Sequence, residues 1–333
     1  MFNNTTREKK ETVVLLCVLL VCILITLSLV IALINVVPKP EATQTQPVAN
    51  QPEGPQYIEI DDIETLRLSD AKSLLDAAQI AYTIVPTDSR IPNRVEKIEF
   101  VGEKQENGKL HVEIGTSITI YANEVSKDKI VYLTFDDGPT RDNTFVILNT
   151  LNSYGIKATF YLLGENVLLW QDRIQATIEQ GHLIGCHSFS HVYHQIYSSP
   201  EAFVAEIEQY ENALKTVLGD EEYAKIPKLL RFPGGSLGLE PAYFEAVRDK
   251  GYKIHDWTAE TKDKNGLKTT EDFIENLSLE LNIAKNNGRH LIVLMHDMEI
   301  TKDALPAILD YLISERYYFD TIDNCPEYTI VEN

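Results

Sequence analysis

The alternation of apolar and polar positions divides the chain into an apolar run, a polar stretch, a short alternating segment and a long β/α segment. Val13 to Val37 reads VVLLCVLLVCILITLSLVIALINVV and carries no charge. As a helix it would span about 37 Å, more than the ~30 Å hydrocarbon core of a bilayer. Lipid offers no water to backbone groups, so such a segment spans as a helix despite its β-branched residues. Arg7, Lys9 and Lys10 precede it and only Lys39 follows closely, which predicts a cytoplasmic tail at 1–12 and an exported remainder. The run is long for the apolar part of a cleaved signal, and Asn35-Val36-Val37-Pro38 is a poor cleavage site, so 13–37 is expected to remain as a transmembrane helix in membrane lipid. Cys17 and Cys22 lie inside it as small hydrophobes.

Residues 38–55 hold five prolines and no aromatic residue, which predicts a stiff, unfolded linker. Between 56 and 123, Ser69 can cap a helix carrying Ala71, Leu74, Leu75 and Ala78 at helical spacing. Three short strands are expected around Tyr82, around Val95 to Phe100, and at Ser117 to Tyr121, with a turn at Asn107-Gly108.

From 128 to 333 the pattern alternates between strand and helix. Apolar strands are expected at Lys129–Phe135, Lys157–Leu162, His182–His187, Leu229–Phe232, Tyr252–His255 and Arg289–Met295. Helical periodicity occupies Thr144–Tyr154, Ala202–Leu218 and Thr270–Lys285 between them. This order implies an α/β parallel sheet or barrel with its site at the C-terminal ends of the strands.

Composition narrows the function classes. The hydrophobic set is 44% and charged residues 24%, a globular balance. Fifty acidic residues against thirty basic ones give a net charge of −20, which lacks the electrostatic footprint of a nucleic-acid binder. Four cysteines without close pairs exclude a disulfide scaffold and a thiolate zinc site.

Chemistry-bearing residues gather at the expected strand ends. Asp136-Asp137-Gly138 follows the first strand; by itself this is an ordinary turn, but adjacent acids leaving a strand point in different directions, so one can bind a metal while the other faces substrate. His187 and His191 are four apart, and a helical turn starting there would put both imidazoles on one face to share an ion. With Asp137 they form a two-histidine, one-carboxylate set; zinc is the first expectation, and cobalt, nickel or manganese would also suit it. His296 ends an apolar strand, and Arg231 stands at another strand end before Pro233-Gly234-Gly235. His182, His194, His255 and His290 lack such a setting and are expected to be structural or exposed, and Cys186 to be a buried thiol.

Taken in order, Thr134-Phe-Asp-Asp-Gly138, His187-Ser-x-x-His191, Arg231 before Pro233, and Leu294-x-His296 resemble the polysaccharide deacetylase family, carbohydrate esterase family 4 or NodB-homology domain, over roughly 128–330. The segment at 56–123 resembles a PASTA module in Leu68-Ser-Asp-Ala71, Arg94-Val95 and Ile114–Ile120. The first resemblance implies a distorted (β/α) barrel with fewer than eight complete units. It assigns Asp137, His187 and His191 to a divalent metal, Asp136 to general base, the Arg231 loop to an oxyanion donor, and His296 to the acid that protonates a departing amine. Two motifs depart from the family pattern. Gly234 stands where a tyrosine is usual, so an aromatic wall is missing. The acid that tunes His296 has three registers, Asp256, Glu260 or Asp263, and counting from Gly251-Tyr252 selects Glu260.

Together with the apolar run, the linker and the PASTA-like segment, the resemblance implies a membrane-anchored, extracellular, metal-dependent deacetylase of cell-wall peptidoglycan, acting on N-acetylglucosamine before N-acetylmuramic acid. Chitin oligomers, acetylated xylan and a catalytically silent wall-binding protein are the alternatives.

Overall fold

The computed structural model describes residues 55–331, apart from 265, 267 and 268. The tail at 1–12, the transmembrane helix expected at 13–37 and the linker at 38–55, save Pro55, lie outside the described residues. Among the described residues no helix is long and apolar enough to cross a membrane.

Residues 57–122 build a small core of their own. Strands β1 (Tyr57–Asp61), β5 (Lys109–Glu113) and β4 (Gly102–Lys104) form one antiparallel sheet. Strands β2 (Ala81–Val85), β6 (Ser117–Ala122) and β3 (Val95–Glu99) form another, with β6 parallel to β2 and antiparallel to β3. The Leu68–Ala77 helix adds Leu68, Ala71 and Leu75 to a core that includes Leu110, Ile118 and Ile120. Six strands therefore replace the expected three. The β4–β5 hairpin escapes a periodicity search because β4 has three exposed residues. Its turn is the expected one, with Gly108 at φ +80°.

Strands β7 (Ile130–Gly138), β8 (Thr159–Leu162), β9 (Leu183–Cys186), β10 (Leu229–Leu230), β11 (Lys253–Ile254), β12 (Ala259–Glu260), β13 (Leu291–His296) and β14 (Tyr318–Asp320) form one curled, wholly parallel sheet. The order is β11-β10-β9-β8-β7-β13-β12, and β14 pairs with the start of β7. Central strands β7 and β13 are buried along nearly their whole length, as a sheet covered on both faces requires. β12 and β14 have two and three residues, too few to leave a periodic signal.

Helices fall where local chemistry starts them. Ser199 caps Pro200–Leu218 by accepting from Ala202 N at 3.2 Å, with Pro200 at the first helical position. Thr269 and Asp272 form a reciprocal capping box for Thr270–Asn286. These helices bury Phe203, Ile207, Leu277 and Leu281 against the sheet. The C-terminal ends of β7, β9, β10, β12 and β13 are thereby left as one lip, and His296 lies beside Asp136 in the β13–β7 register.

Candidate active site

β7 does not end cleanly. Its register against β8 shifts between Asp136 and Gly138, and Asp137 adopts φ +68°. This bulge separates the two adjacent carboxylates. Asp136 is buried and its Oδ1 accepts from Arg231 Nη1 at 2.9 Å. Asp137 turns toward the histidine pair.

The His187–His191 segment is not the helical turn expected from its spacing. Ser188 and His191 adopt φ +71° and +59°, and helix begins only at Tyr193. The turn is held from behind by Glu206 on the Pro200–Leu218 helix. Its buried carboxylate accepts from Phe189 N at 2.9 Å, Ser190 N at 2.7 Å and Ser190 Oγ at 2.9 Å. His187 donates Nδ1–H to the Arg231 carbonyl at 2.9 Å, which fixes the tautomer and leaves Nε2 as a lone pair.

His187 Nε2 and His191 Nε2 each lie 3.6 Å from Asp137 Oδ1. That oxygen is buried and has no hydrogen-bond partner. A buried carboxylate oxygen without a donor is costly, and two imidazole lone pairs facing it do not satisfy it. Separations near 3.6 Å are those of donors sharing one ion at bonds of roughly 2.1 Å. Asp137, His187 and His191 are the sole such cluster among the described residues, and they fit a divalent metal. Burial depresses His191, and the neighbouring His187 adds to it, so a neutral, ligating imidazole is favoured. Burial opposes ionisation of Asp137, but His187 and the Lys264 ammonium, which ion-pairs with Oδ2, outweigh it and hold the carboxyl below its ordinary range.

Arg231 is fully buried and spends its guanidinium on four acceptors. Besides Asp136, it donates to Thr134 Oγ1 at 2.7 Å, to the His255 carbonyl at 2.8 Å and to the Asp256 carbonyl at 3.1 Å. Its guanidinium also lies over the Tyr161 ring at 4.4 Å. Full satisfaction is what makes a buried cation tolerable. In the loop that follows, Gly235 N donates to Phe232 O at 2.8 Å. Pro233 has no N–H, and the Gly234 amide has no partner among the described residues.

His296 ends β13 with its Nδ1 2.7 Å from Asp263 Oδ1, and its backbone N donates to Asp263 Oδ2 at 2.7 Å. Thr301 Oγ1 donates to the same Oδ2 at 2.6 Å. This corrects the expectation for Glu260, because the acid that meets His296 is Asp263. β12 ends at Glu260, whose own N–H donates to Glu280, and the chain needs three more residues to reach His296. Burial pushes the Glu260 carboxyl up, aided by Glu280, whereas Asp263 is held down: burial opposes its ionisation, but bonding to His296 and Thr301 prevails. Asp256 serves elsewhere. Its buried carboxylate accepts from Ser236 N at 3.1 Å, Ile330 N at 2.8 Å and the Ser236 hydroxyl, stapling the Gly-rich loop to the C-terminal segment.

The sequence pattern does not single out Glu206, Thr301 or Asp297. Asp297 accepts from Thr140 Oγ1 at 2.8 Å and from the Thr144 hydroxyl, and a Cβ on Gly138 would lie 2.7 Å from its Oδ2. Asp297 could have been suspected as a second acid beside His296; Glu206, on an amphipathic helix, gave no such sign. His182 and His255 are buried, as Cys186 is, consistent with structural roles.

The chain is similar to known proteins over the segment that carries most of this site. The family model for polysaccharide deacetylase matches residues 123–255. That span holds Asp136, Asp137, His187, His191 and Arg231, while Asp263 and His296 lie past its end and are brought in by β12 and β13. A peptidoglycan-N-acetylglucosamine deacetylase of Bacillus cereus is 34% identical over 195 residues, 58% of this chain and 68% of its own length. The enzyme PgdA of Listeria monocytogenes, of the same name, is 31% identical over 200 residues, covering 59% of this chain but 38% of itself. Among solved structures, a Streptococcus mutans CE4 esterase shares 32% identity at a TM-score of 0.54, over 58% of this chain and 86% of that one. The catalytic domain of a Eubacterium rectale peptidoglycan N-acetylglucosamine deacetylase shares 30% at a TM-score of 0.52, over 62% and 94%.

Proposed function

Because this chain belongs to the polysaccharide deacetylase family, and so is a hydrolytic deacetylase acting on a cell-wall polysaccharide, we propose that its substrate is peptidoglycan and the sugar it deacetylates is N-acetylglucosamine. The names of the Bacillus and Listeria relatives support that choice. The observation that carries the chemistry is Asp137 Oδ1, buried and unpartnered, facing two imidazole Nε2 atoms with Asp136 alongside.

Asp137, His187 and His191 would hold a divalent ion, zinc being the first choice, which would supply Lewis acidity toward the acetamide carbonyl and toward water. Asp136 takes the proton of the attacking water. Its Oδ1 is tied to Arg231, and its Oδ2, 3.7 Å from His187 Nε2, faces the triad. The Gly234 amide donates to the oxygen on which negative charge develops. His296, aligned through Nδ1 by Asp263, gives a proton to the amine as the C–N bond breaks. One C–O bond replaces one C–N bond, and acetate and a free amino sugar leave.

In this reading residues 13–37 anchor the chain in the cell membrane with residues 1–12 cytoplasmic and the catalytic domain at 128–333 outside. Length, apolar character and the flanking basic residues support it. The linker at 38–55 and the PASTA-like module at 56–123 hold the catalytic domain toward the wall.

Acetate release from a panel of purified peptidoglycan, chitin oligomers and acetylated xylan tests the substrate. Release from peptidoglycan, with glucosamine recovered from its digest, is expected. Release from xylan alone, or muramic acid as the freed sugar, would overturn it.

A further inference from the structure

Resting on the deacetylase reading, we propose that Tyr193 is the aromatic wall of the sugar-binding cleft and that Gly234 is a glycine because Tyr193 fills the volume a side chain there would need. The wall that the Arg231 loop lacks is supplied by the segment that follows His191, whose Tyr193 ring lies against Gly234.

The observation is a close approach between two loops. Gly234 adopts φ +75°, and a Cβ on it would lie 2.9 Å from Tyr193 Oη and 3.2 Å from Tyr193 Cε1. No side chain fits between loop and ring without displacing one of them. The Tyr193 ring also meets the His191 imidazole edge to face, at 5.1 Å and 85°. It thus sits one imidazole away from the Asp137–His187–His191 cluster.

The ring is presented rather than buried. It is 51% exposed, and its hydroxyl makes no hydrogen bond among the described residues. Its surroundings are fixed. Tyr197, one turn further on, donates its hydroxyl to Pro233 O at 2.7 Å, stacks on Phe203, and receives the Tyr243 hydroxyl at its own carbonyl at 3.0 Å. The Tyr193 turn and the Pro233-Gly234 loop are therefore tied together. An exposed aromatic ring packed edge to face on His191 beside a hydrolytic centre, with a free hydroxyl at its edge, matches a pyranose ring, which offers an apolar face of axial C–H groups and equatorial hydroxyls around it. Such a ring binds at little entropic cost because it has few rotamers to lose.

The test uses the tetramer of N-acetylglucosamine with the zinc-loaded protein, and measures tetramer binding separately in the Asp136→Asn background. Tyr193→Ala is expected to raise KM and the dissociation constant of the tetramer about tenfold, with a much smaller change in kcat, which is the worth of one aromatic contact. Tyr193→Phe should keep most of the affinity. Zinc affinity, measured by titration, should match the parent in both. Unchanged KM and binding in Tyr193→Ala would overturn the proposal, as would a KM rise matched by an equal loss of zinc affinity, which would make Tyr193 mere packing for His191. Tyr193-dependent binding of the tetramer by a parent that releases acetate from neither the tetramer nor peptidoglycan would keep the wall and refute the deacetylase reading. No tetramer binding by the parent would overturn the wall.

Discussion

Asp263 grips His296 twice, accepting from its backbone N–H and its ring Nδ1, both at 2.7 Å. The backbone bond sets where β13 ends, and the ring bond sets which nitrogen of His296 faces the cleft. A carboxylate in this place fixes tautomer and orientation and stabilises the protonated ring. Asp263→Ala should therefore lower kcat by about 10²- to 10⁴-fold, the range of a lost general acid, while Glu260→Ala stays near the parent. Acetate release by the two variants decides it; equal losses would contradict the assignment.

Arg231 serves both halves of the site, its side chain holding Asp136 and its carbonyl holding His187. Arg231→Met leaves Asp136 as a buried charge without its partner, at a cost of about 3–5 kcal/mol, readable in a denaturant midpoint. Arg231→Lys keeps the charge but loses the fork that reaches four acceptors. It should lose kcat while keeping zinc affinity, because the carbonyl that orients His187 is unchanged. Loss of zinc affinity with kcat preserved would contradict this division.

Glu206 holds the strained His187–His191 turn through three hydrogen bonds. Residues that orient metal ligands in this way are typically worth 10- to 100-fold in affinity, so Glu206→Ala should weaken zinc binding by about that factor. Titration against a chelating competitor measures it, and parent-like affinity would show that the turn holds itself.

Two buried histidines contribute to the loss of stability in acid. Burial pushes His182 and His255 from 6.5 down to about 4. Below pH 6.5 the unfolded chain binds protons there that the native state refuses, so stability is full above 6.5 and falls as pH drops toward 4. Each contributes up to roughly 3 kcal/mol to that fall. The melting temperature should drop across this window, and His182→Gln, which keeps an acceptor for Ala158 N, should flatten the slope. An unaltered slope would contradict the role of His182.

How far the sequence reveals this protein depends on the range of the interaction. Asp136, Asp137, His187, His191, Arg231 and His296 were visible because each stands beside an apolar strand whose end marks the site. Glu206 and Thr301 were not, since they reach the site from helices through tertiary packing. Asp263 is one of three registers the sequence offers, and counting along the chain selects Glu260 because it assumes an unbroken register; the structure ends β12 at Glu260 and lets the chain turn before the acid arrives. The conformation of the His187–His191 turn is not legible in its spacing, because four residues serve a helical turn and this turn alike, and only the left-handed Ser188 and His191 distinguish them. Strands β12 and β14 are too short for any pattern and exist because β13 and β7 offer them edges.

In the proposed mechanism Asp137, His187 and His191 hold a metal for which Asp136 is the base. Acetate release from purified peptidoglycan, by protein stripped of metal and then titrated with zinc beside an Asp136→Asn variant, tests it most directly. Release that appears with zinc in the parent and is lost in Asp136→Asn, while that variant still binds zinc, is the result predicted. Release that persists without metal, or survives Asp136→Asn, would contradict it.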